Sequence, residues 1–441
     1  MALIISILVL IPLFMTIPVT FASDDTIDVL IGKNLREVTV SGVDLQRKLY
    51  ASKNVWLLSK KIKNELNQNV KAIRFKCHGG NRSNRAKGRQ SGALAKGKQN
   101  ILALITSPSK ILTWNRERYK GDFLVIGTNK QGRCDLVNRV SIEHYISVIL
   151  PKEMHASWPI EALKAQAVAS RSYAFYKMRS RVRGFQENEN ITFFDIENSE
   201  RHQVSGSLLD ETSNTASAAK NTAGEVLSFK GKKFVPIYFH AKCGGSTLLP
   251  EDVWEKGAND KNTLGYHRVD CPFCQGKGVE IWKLELNKKD FYPLVSQILK
   301  SKGTTKRVAK GVAGTSGVDF SPDKMRPDNI NIKIITNKID STSVDFILQN
   351  RKKHTTHLFS VKKSFIRKYW GYDKVYSNRF IIENGDGRGN NNKLTLKGSG
   401  KGHGVGLCQM GALELAKRGW SYSQILKYYF PEHVIVNYSQ L

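Results

Sequence analysis

Between Tyr145 and Arg181 the chain reads YISVILPKEMHASWPIEALKAQAVASRSYAFYKMRSR, and this stretch constrains the fold more than any other. Tyr145, Ile146, Val148, Ile149 and Leu150 form an apolar run that Pro151 ends. A short turn-like segment follows and carries Glu153. Ser157 and Pro159 then open a long helix: a hydroxyl can cap free N–H groups, and proline lacks the N–H that a first turn leaves unbonded. Ile160, Leu163, Ala167, Ala174 and Met178 recur at helical spacings, which predicts one buried face. Arg171 falls within that stripe, and a buried arginine needs an acidic partner or a ligand. Gln166 and Tyr173 lie to one side of it. Glu153, flanked by Met154, His155 and Trp158, has two readings. It is either a partly desolvated carboxyl able to act as an acid near neutral pH, or a charge that simply favours the N-terminus of the following helix.

The string ILPKEMHASWPIEALKAQAVASRSYA resembles the signature of the stage II sporulation protein D (SpoIID/LytB) family of peptidoglycan-active proteins. There a P-x-E-M turn precedes W-P-x-E-A-L-K-A-Q-A-V-A-x-R-[ST]-Y. Near the other end, GSGKGHGVGLCQMGALELAKRGWSYSQILKYYFP resembles the family's closing motif, G-x-G-H-G-V-G-x-S-Q-x-G-A, with a small-residue helix and an aromatic tail behind it. Two long motifs in the family's order are far more specific than either alone, and the resemblance covers roughly Val140 to Leu441. It implies an α+β fold, a SpoIID-like catalytic domain of mixed helices and antiparallel strands over 140–441, and the alternating segments before it read as a β-rich module over 28–139. It also implies a peptidoglycan lytic transglycosylase acting on peptide-stripped glycan strands. Glu153 is then the acid/base, and Gln166, Arg171, Tyr173, His403, Gly404 and Gln409 shape the cleft. The family name LytB also carries a different role, a non-catalytic wall-binding activator of an N-acetylmuramoyl-L-alanine amidase. The chain departs from the family pattern at Ser205, Cys408 and Met410, which bears on substrate preference rather than on fold.

A single featured glutamate suits the transglycosylase chemistry. One carboxyl protonates the glycosidic oxygen, the sugar's own C6 hydroxyl attacks the anomeric carbon, and the same carboxylate takes the proton back, leaving a 1,6-anhydro end. A lysozyme-type glycosidase needs a second carboxyl about 5–9.5 Å from the first. Asp195 and Glu197 are the candidates closest in sequence.

The remaining features set the context. Met1 to Ala22 is apolar with small residues before Ser23, which predicts a signal peptide over 1–22 and a periplasmic, secreted or wall-associated product. Without a Lys or Arg in that run, a retained membrane anchor is the alternative. The chain holds 69 Lys and Arg against 38 Asp and Glu, a net +31, which draws it to polyanions. For an exported protein that means an anionic wall or membrane surface; no recognised nucleic-acid-binding motif is present. A basic loop, 79–98, interrupts the β-rich module, and further basic insertions lie around 300–330. Val38–Val43 and Phe123–Gly127 read as strands of that module, and Cys77 and Cys134 as a possible disulfide within it.

Downstream, His240-x-x-Cys243 and Cys271-x-x-Cys274 offer four ligands for a closed, structural zinc site, because zinc prefers thiolate and imidazole in tetrahedral array. The alternatives are a Cys271–Cys274 or Cys243–Cys271 disulfide, with His240 as a glycan contact and His267 as a substitute ligand. Some family members bind zinc near this segment, so the resemblance implies a metal without fixing its ligands. Cys408, beside His403, is a candidate nucleophile, though no base–orienter pair accompanies it. Gly398, Gly400, Gly402, Gly404 and Gly406 allow backbone to approach a ligand closely, with His403 at the cleft wall and Gln409 near a helix start.

Overall fold

The computed structural model describes residues 26–49, 70–77, 100–128, 130, 132–180, 193–198, 208, 210–254, 263–274, 281–300, 306–307, 330–336, 338–350, 355–384 and 393–440. The segment 1–22 expected to be a signal peptide, the basic loop 79–98, Ser205 and most of the basic insertion at 300–330 lie outside the described residues.

Eight strands come first: β1 (Thr26–Leu35), β2 (Glu37–Leu49), β3 (Val70–Lys76), β4 (Asn100–Thr106), β5 (Ile111–Trp114), β6 (Glu117–Lys120), β7 (Asp122–Gly127) and β8 (Cys134–Ser141). They form one sheet in the order β6-β5-β2-β4-β7-β8-β1, with β3 also on β2. Their sequences explain the pairing. In β2, Val38 and Val40 are buried while Thr39 and Ser41 are exposed, the alternation of a strand with one wet face. Phe123 to Ile126 in β7 are buried without alternation, as befits a central strand covered on both sides. A Cys77–Cys134 disulfide joins the end of β3 to the start of β8 across 57 residues. By the loop-entropy estimate it contributes about 4 kcal/mol.

β8 passes directly into α1 (Ile142–Glu153), where Ser141 Oγ accepts the His144 N–H at 3.3 Å. The apolar run from Tyr145 to Leu150 is therefore helical, and Pro151 lies in its last turn. Glu153 is the final residue of that helix. α2 (Ile160–Ser180) follows. Ser157 does not cap it: its hydroxyl pairs with His155 Nδ1 at 2.8 Å, and the Pro159 carbonyl accepts the first helical N–H groups. The expected single buried stripe is also revised. α2 is buried nearly all round, and Ile160 is one of its exposed residues. It packs against α1, α3 (Ser213–Asn221), β10 (Glu225–Phe229), α7 (Gln409–Lys417) and α8 (Tyr422–Tyr429), so its alanine-rich sequence serves close approach on every side. β9 (Ile196–Glu197) adds to the sheet parallel to β1.

One core joins sheet and helices. Ile27 and Val29 on one face of β1 pack with α1 and α2, while Leu30 on the other face meets Leu124, Ile126 and Val137. After β11 (Phe239–His240) and the short α4 (Pro250–Val253), a second unit with its own core intervenes. It contains β12 (Ile281–Asn287), α5 (Lys288–Lys300), β13 (Lys306–Arg307), β14 (Ile330–Thr336), β15 (Ser343–Asn350), β16 (Thr355–Lys362), α6 (Lys363–Trp370), β17 (Phe380–Asn384) and β18 (Lys393–Ser399). The chain then returns to the main body. β19 (Leu407–Cys408) lies parallel to β11, and β20 (His433–Asn437) runs antiparallel to β10. The segments 225–229 and 234–239 read in the sequence as paired strands around 230–232, but only the Phe229–Lys233 bridge forms between them: β10 takes β20 as its partner and β11 takes β19, both from the closing segment. With helices and strands both prominent and the strands mainly antiparallel, the fold is α+β.

Candidate functional site

Glu153 sits half-buried at the C-terminal end of α1. The negative end of a helix dipole is a poor place for an anion and a suitable one for a proton donor. Next to it in sequence, Lys152 is held by Asp210 at 2.6 Å, which directs that cation away to a carboxylate of its own. Tyr145 lies beneath. Burial, then the charges of Glu153 and Tyr173, hold its phenol well above the usual tyrosine range, so it stays a neutral O–H. Tyr173 is shifted the same way, by burial first and then by Tyr238.

From Tyr173 a continuous aromatic wall leads to the closing motif. Tyr173 and Tyr238 have ring centroids 6.1 Å apart, Tyr238 and Trp254 4.6 Å, and Trp254 and His403 5.4 Å. His403 Nδ1 accepts the Val405 N–H at 3.0 Å. Burial, with His240 and Arg367 beside it, keeps that ring's pKa well below the usual value. The ring is therefore neutral rather than a charge. Gly404 has φ +87, and a Cβ there would press on Leu248 at 3.1 Å, so this position suits a residue without a side chain. Its carbonyl accepts the Leu248 N–H at 2.7 Å, which binds the closing loop to the segment before α4. A cavity is lined by Arg268, Asp340, Asn378, Arg379, His403 and Gly404; Glu153 does not line it.

Of the residues expected in the cleft, Arg171, Gln166 and Gln409 are interior instead, and Tyr173 in the aromatic wall is itself buried. Arg171 is fully buried and forms a forked pair with Glu143, Nη2 to Oε2 at 2.8 Å and Nε to Oε1 at 3.0 Å. It also donates to the carbonyls of Ala219 and Glu225. Its role is to clamp α1, α3 and β10 onto α2. Gln409 Nε2 donates to Gln166 Oε1 at 3.3 Å, and Gln166 Nε2 donates to Ser170 Oγ at 2.9 Å, all within the core. These amides tie the first turn of α7 to α2 and so bring the two sequence motifs together behind the cleft wall. Sequence reading missed Tyr145, Tyr238 and Trp254. The only signal for Trp254 was an aromatic directly after the last residue of a short acidic helix, α4, a pattern that many helices share.

The cysteines also regroup. Cys243, Cys271, Cys274 and Cys408 are all buried, with their sulfur atoms within 4.8 Å of one another. His240 is not part of this cluster: its Nδ1 meets the Val405 carbonyl at 3.0 Å, and burial lowers its pKa to about 4. The proposed ligand set of His240, Cys243, Cys271 and Cys274 is therefore corrected, with Cys408 in the fourth place. The physical reason is β11–β19 pairing, which sets His240 level with Cys408 on parallel strands. His267 is elsewhere too, with Nε2 on Glu432 at 3.1 Å. Cys408 caps α7, accepting the Gly411 N–H, and its sulfur otherwise meets only other thiols and backbone groups, so no general base stands by it among the described residues.

Comparison with known proteins agrees with the first of the two motifs. Residues 130–229 match the family model for the stage II sporulation protein, SpoIID. An uncharacterised protein of Brachyspira hyodysenteriae is 30% identical over 75% of this chain and 75% of its own. The chain belongs to the SpoIID family. It is also similar to the amidase enhancer of Bacillus subtilis, 30% identical over 66% of this chain but only 40% of that protein. The stage II sporulation protein D of Bacillus amyloliquefaciens is 20% identical over 67% of this chain and 74% of its own. Membership of this family supports a wall-related function. Among the described residues no helix is long and apolar enough to cross a membrane.

Proposed function

We propose that this SpoIID protein is an exported peptidoglycan lytic transglycosylase, cutting glycan strands with formation of 1,6-anhydro ends and favouring strands stripped of peptide. The observation that supports it is the placing of Glu153 at a helix C-terminus beside neutral Tyr145, with the wall of Tyr173, Tyr238, Trp254 and His403 leading from it. Aromatic rings present flat apolar faces on which a sugar ring can lie. Glu153, protonated, gives its proton to the glycosidic oxygen as that bond breaks. The C6 hydroxyl of the same sugar attacks the anomeric carbon, and the Glu153 carboxylate accepts the hydroxyl proton, restoring the starting acid. No water is consumed and no second carboxyl is needed. The lysozyme alternative is disfavoured because its candidates are engaged in the sheet. Asp195 accepts the Asp28 N–H at 2.8 Å, and Glu197 pairs with Lys33 at 3.3 Å.

The test is incubation with peptide-free murein glycan and mass spectrometry of the products. Anhydro-ended fragments are expected from the parent. Glu153→Gln keeps the shape of the side chain without a transferable proton, so cleavage should fall by at least about 100-fold while glycan binding persists. Hydrolysed reducing ends would mark a lysozyme, and full activity in Glu153→Gln would place the chemistry elsewhere. A second reading, a non-catalytic activator of a wall amidase, is favoured by the similarity to the amidase enhancer. A parent protein that releases no anhydro ends yet raises amidase turnover on intact sacculi would establish that role instead.

A further inference from the structure

The four buried thiols are a feature the glycan chemistry does not use. Cys243 lies in the turn after β11, Cys271 and Cys274 bracket a 3-10 turn at Pro272–Cys274, and Cys408 precedes α7. Cys274 Sγ is 3.2 Å from Cys408 Sγ and 3.9 Å from Cys271 Sγ. A tetrahedral ion with Zn–S bonds of about 2.3 Å holds its sulfurs about 3.8 Å apart, so the cluster already has the spacing of a tetrathiolate site. The surroundings fit thiolates as well. Backbone N–H groups of Cys243 and Gly411 point at Cys408 Sγ, that of Gly245 points at Cys243 Sγ, each at 3.4 Å, and the Tyr429 hydroxyl is 3.2 Å from Cys271 Sγ. Such donors are the outer partners that orient and stabilise metal-bound sulfur. Gly411 belongs to the same cradle: a Cβ there would run into the Tyr429 hydroxyl and come within 2.7 Å of Cys271 Sγ.

Pairing also argues against simple oxidation. In the same chain Cys77 and Cys134 form a disulfide, whereas these four cysteines are free thiols packed sulfur to sulfur. In an oxidising compartment, unprotected thiols this close would become disulfides. We infer that Cys243, Cys271, Cys274 and Cys408 together hold one soft tetrahedral cation, zinc, as a closed structural site. Four protein ligands leave no position for water or substrate, so the ion is a fastener. It joins the turn after β11, the 3-10 turn and the start of α7. Those segments carry His240 and Gln409, so the ion sets the rear of the cleft wall. The inference stands apart from the transglycosylase reading, since metal binding is measured without glycan.

The experiment uses the full mature chain purified without chelator. Elemental analysis is expected to give one zinc per chain, and thiol titration after denaturation with chelator to give four reactive thiols. Exchange with cobalt(II) should produce the sulfur-to-cobalt charge-transfer absorption of a tetrathiolate. Cys408→Ser should weaken retention against a competing chelator by about 100-fold or more, the scale on which even outer-sphere changes act, while His240→Asn keeps the metal. If a cysteine variant fails to fold, the parent's metal and thiol counts decide. A folded parent with no metal and no free thiols overturns the inference, as does a metal lost in His240→Asn and kept in Cys408→Ser.

Discussion

His433 is enclosed by Phe229, Tyr266 and Phe430, and neither ring nitrogen has a hydrogen-bond partner among the described residues. Burial lowers its pKa to about 4, and His240 is lowered to about 4 for the same reason. The unfolded chain protonates these rings near 6.5, the folded chain only near 4, so below the upper value the unfolded state binds more protons. Stability is therefore complete above about pH 6.5 and declines as pH falls towards 4. Thermal melts across that window should show the decline. His433→Phe should flatten part of it and raise stability at pH 5 by roughly 1 kcal/mol, because it removes buried polar atoms that bond nothing. A His433→Phe protein with the parent's pH profile would mean that the ring is not held neutral.

Elements meet through a few buried polar joints, and the Arg171–Glu143 fork is the chief one around α2. It reaches Glu143 of α1, the Ala219 carbonyl at the end of α3 and the Glu225 carbonyl that opens β10. The Tyr438 hydroxyl and the Gly224 N–H add to Glu143 at 3.2 and 3.0 Å. Arg171→Met fills the space but takes the guanidinium donors away from Glu143 and from two carbonyls. Urea unfolding should show a loss of about 3 kcal/mol, the low end for a broken buried pair because Glu143 stays a third exposed. If the side chain lined the cleft instead, the same substitution would lower glycan affinity and leave stability unchanged. The sequence made this arginine visible as a charged residue in an apolar stripe. It did not say whether the partner was a ligand or a carboxylate, since Glu143 lies two turns of another helix away from any shared motif.

At the scale of the molecule, the net charge of +31 has few internal counterparts. Among the described residues most ion pairs are surface pairs of Lys with Asp or Glu, such as Lys110–Asp122 at 2.8 Å and Lys397–Glu383 at 2.6 Å, and each contributes little to stability. The excess acts outward. Binding to anionic wall polymer, followed by cosedimentation, should weaken several-fold between about 0.1 M and 1 M salt, as the screening length falls from about 10 Å to about 3 Å. Salt-independent binding would show that contacts of another kind dominate.

Local chemistry was enough to announce some features. The alternation in β2, the small-residue helix after Gln409 and the closing Gly419 at φ +85 are all dictated by residues near one another in the chain. So is the featured glutamate, because its motif is continuous. What needed the tertiary structure were the choices among equivalent partners: which strand pairs with β10, which of several histidines and cysteines share a site, and whether Arg171, Gln166 and Gln409 face solvent. Spacing along a chain fixes only neighbours within a turn or a strand. The join between β11 and β19 sets residues 239–240 beside 407–408, and that long-range register exchanged His240 for Cys408.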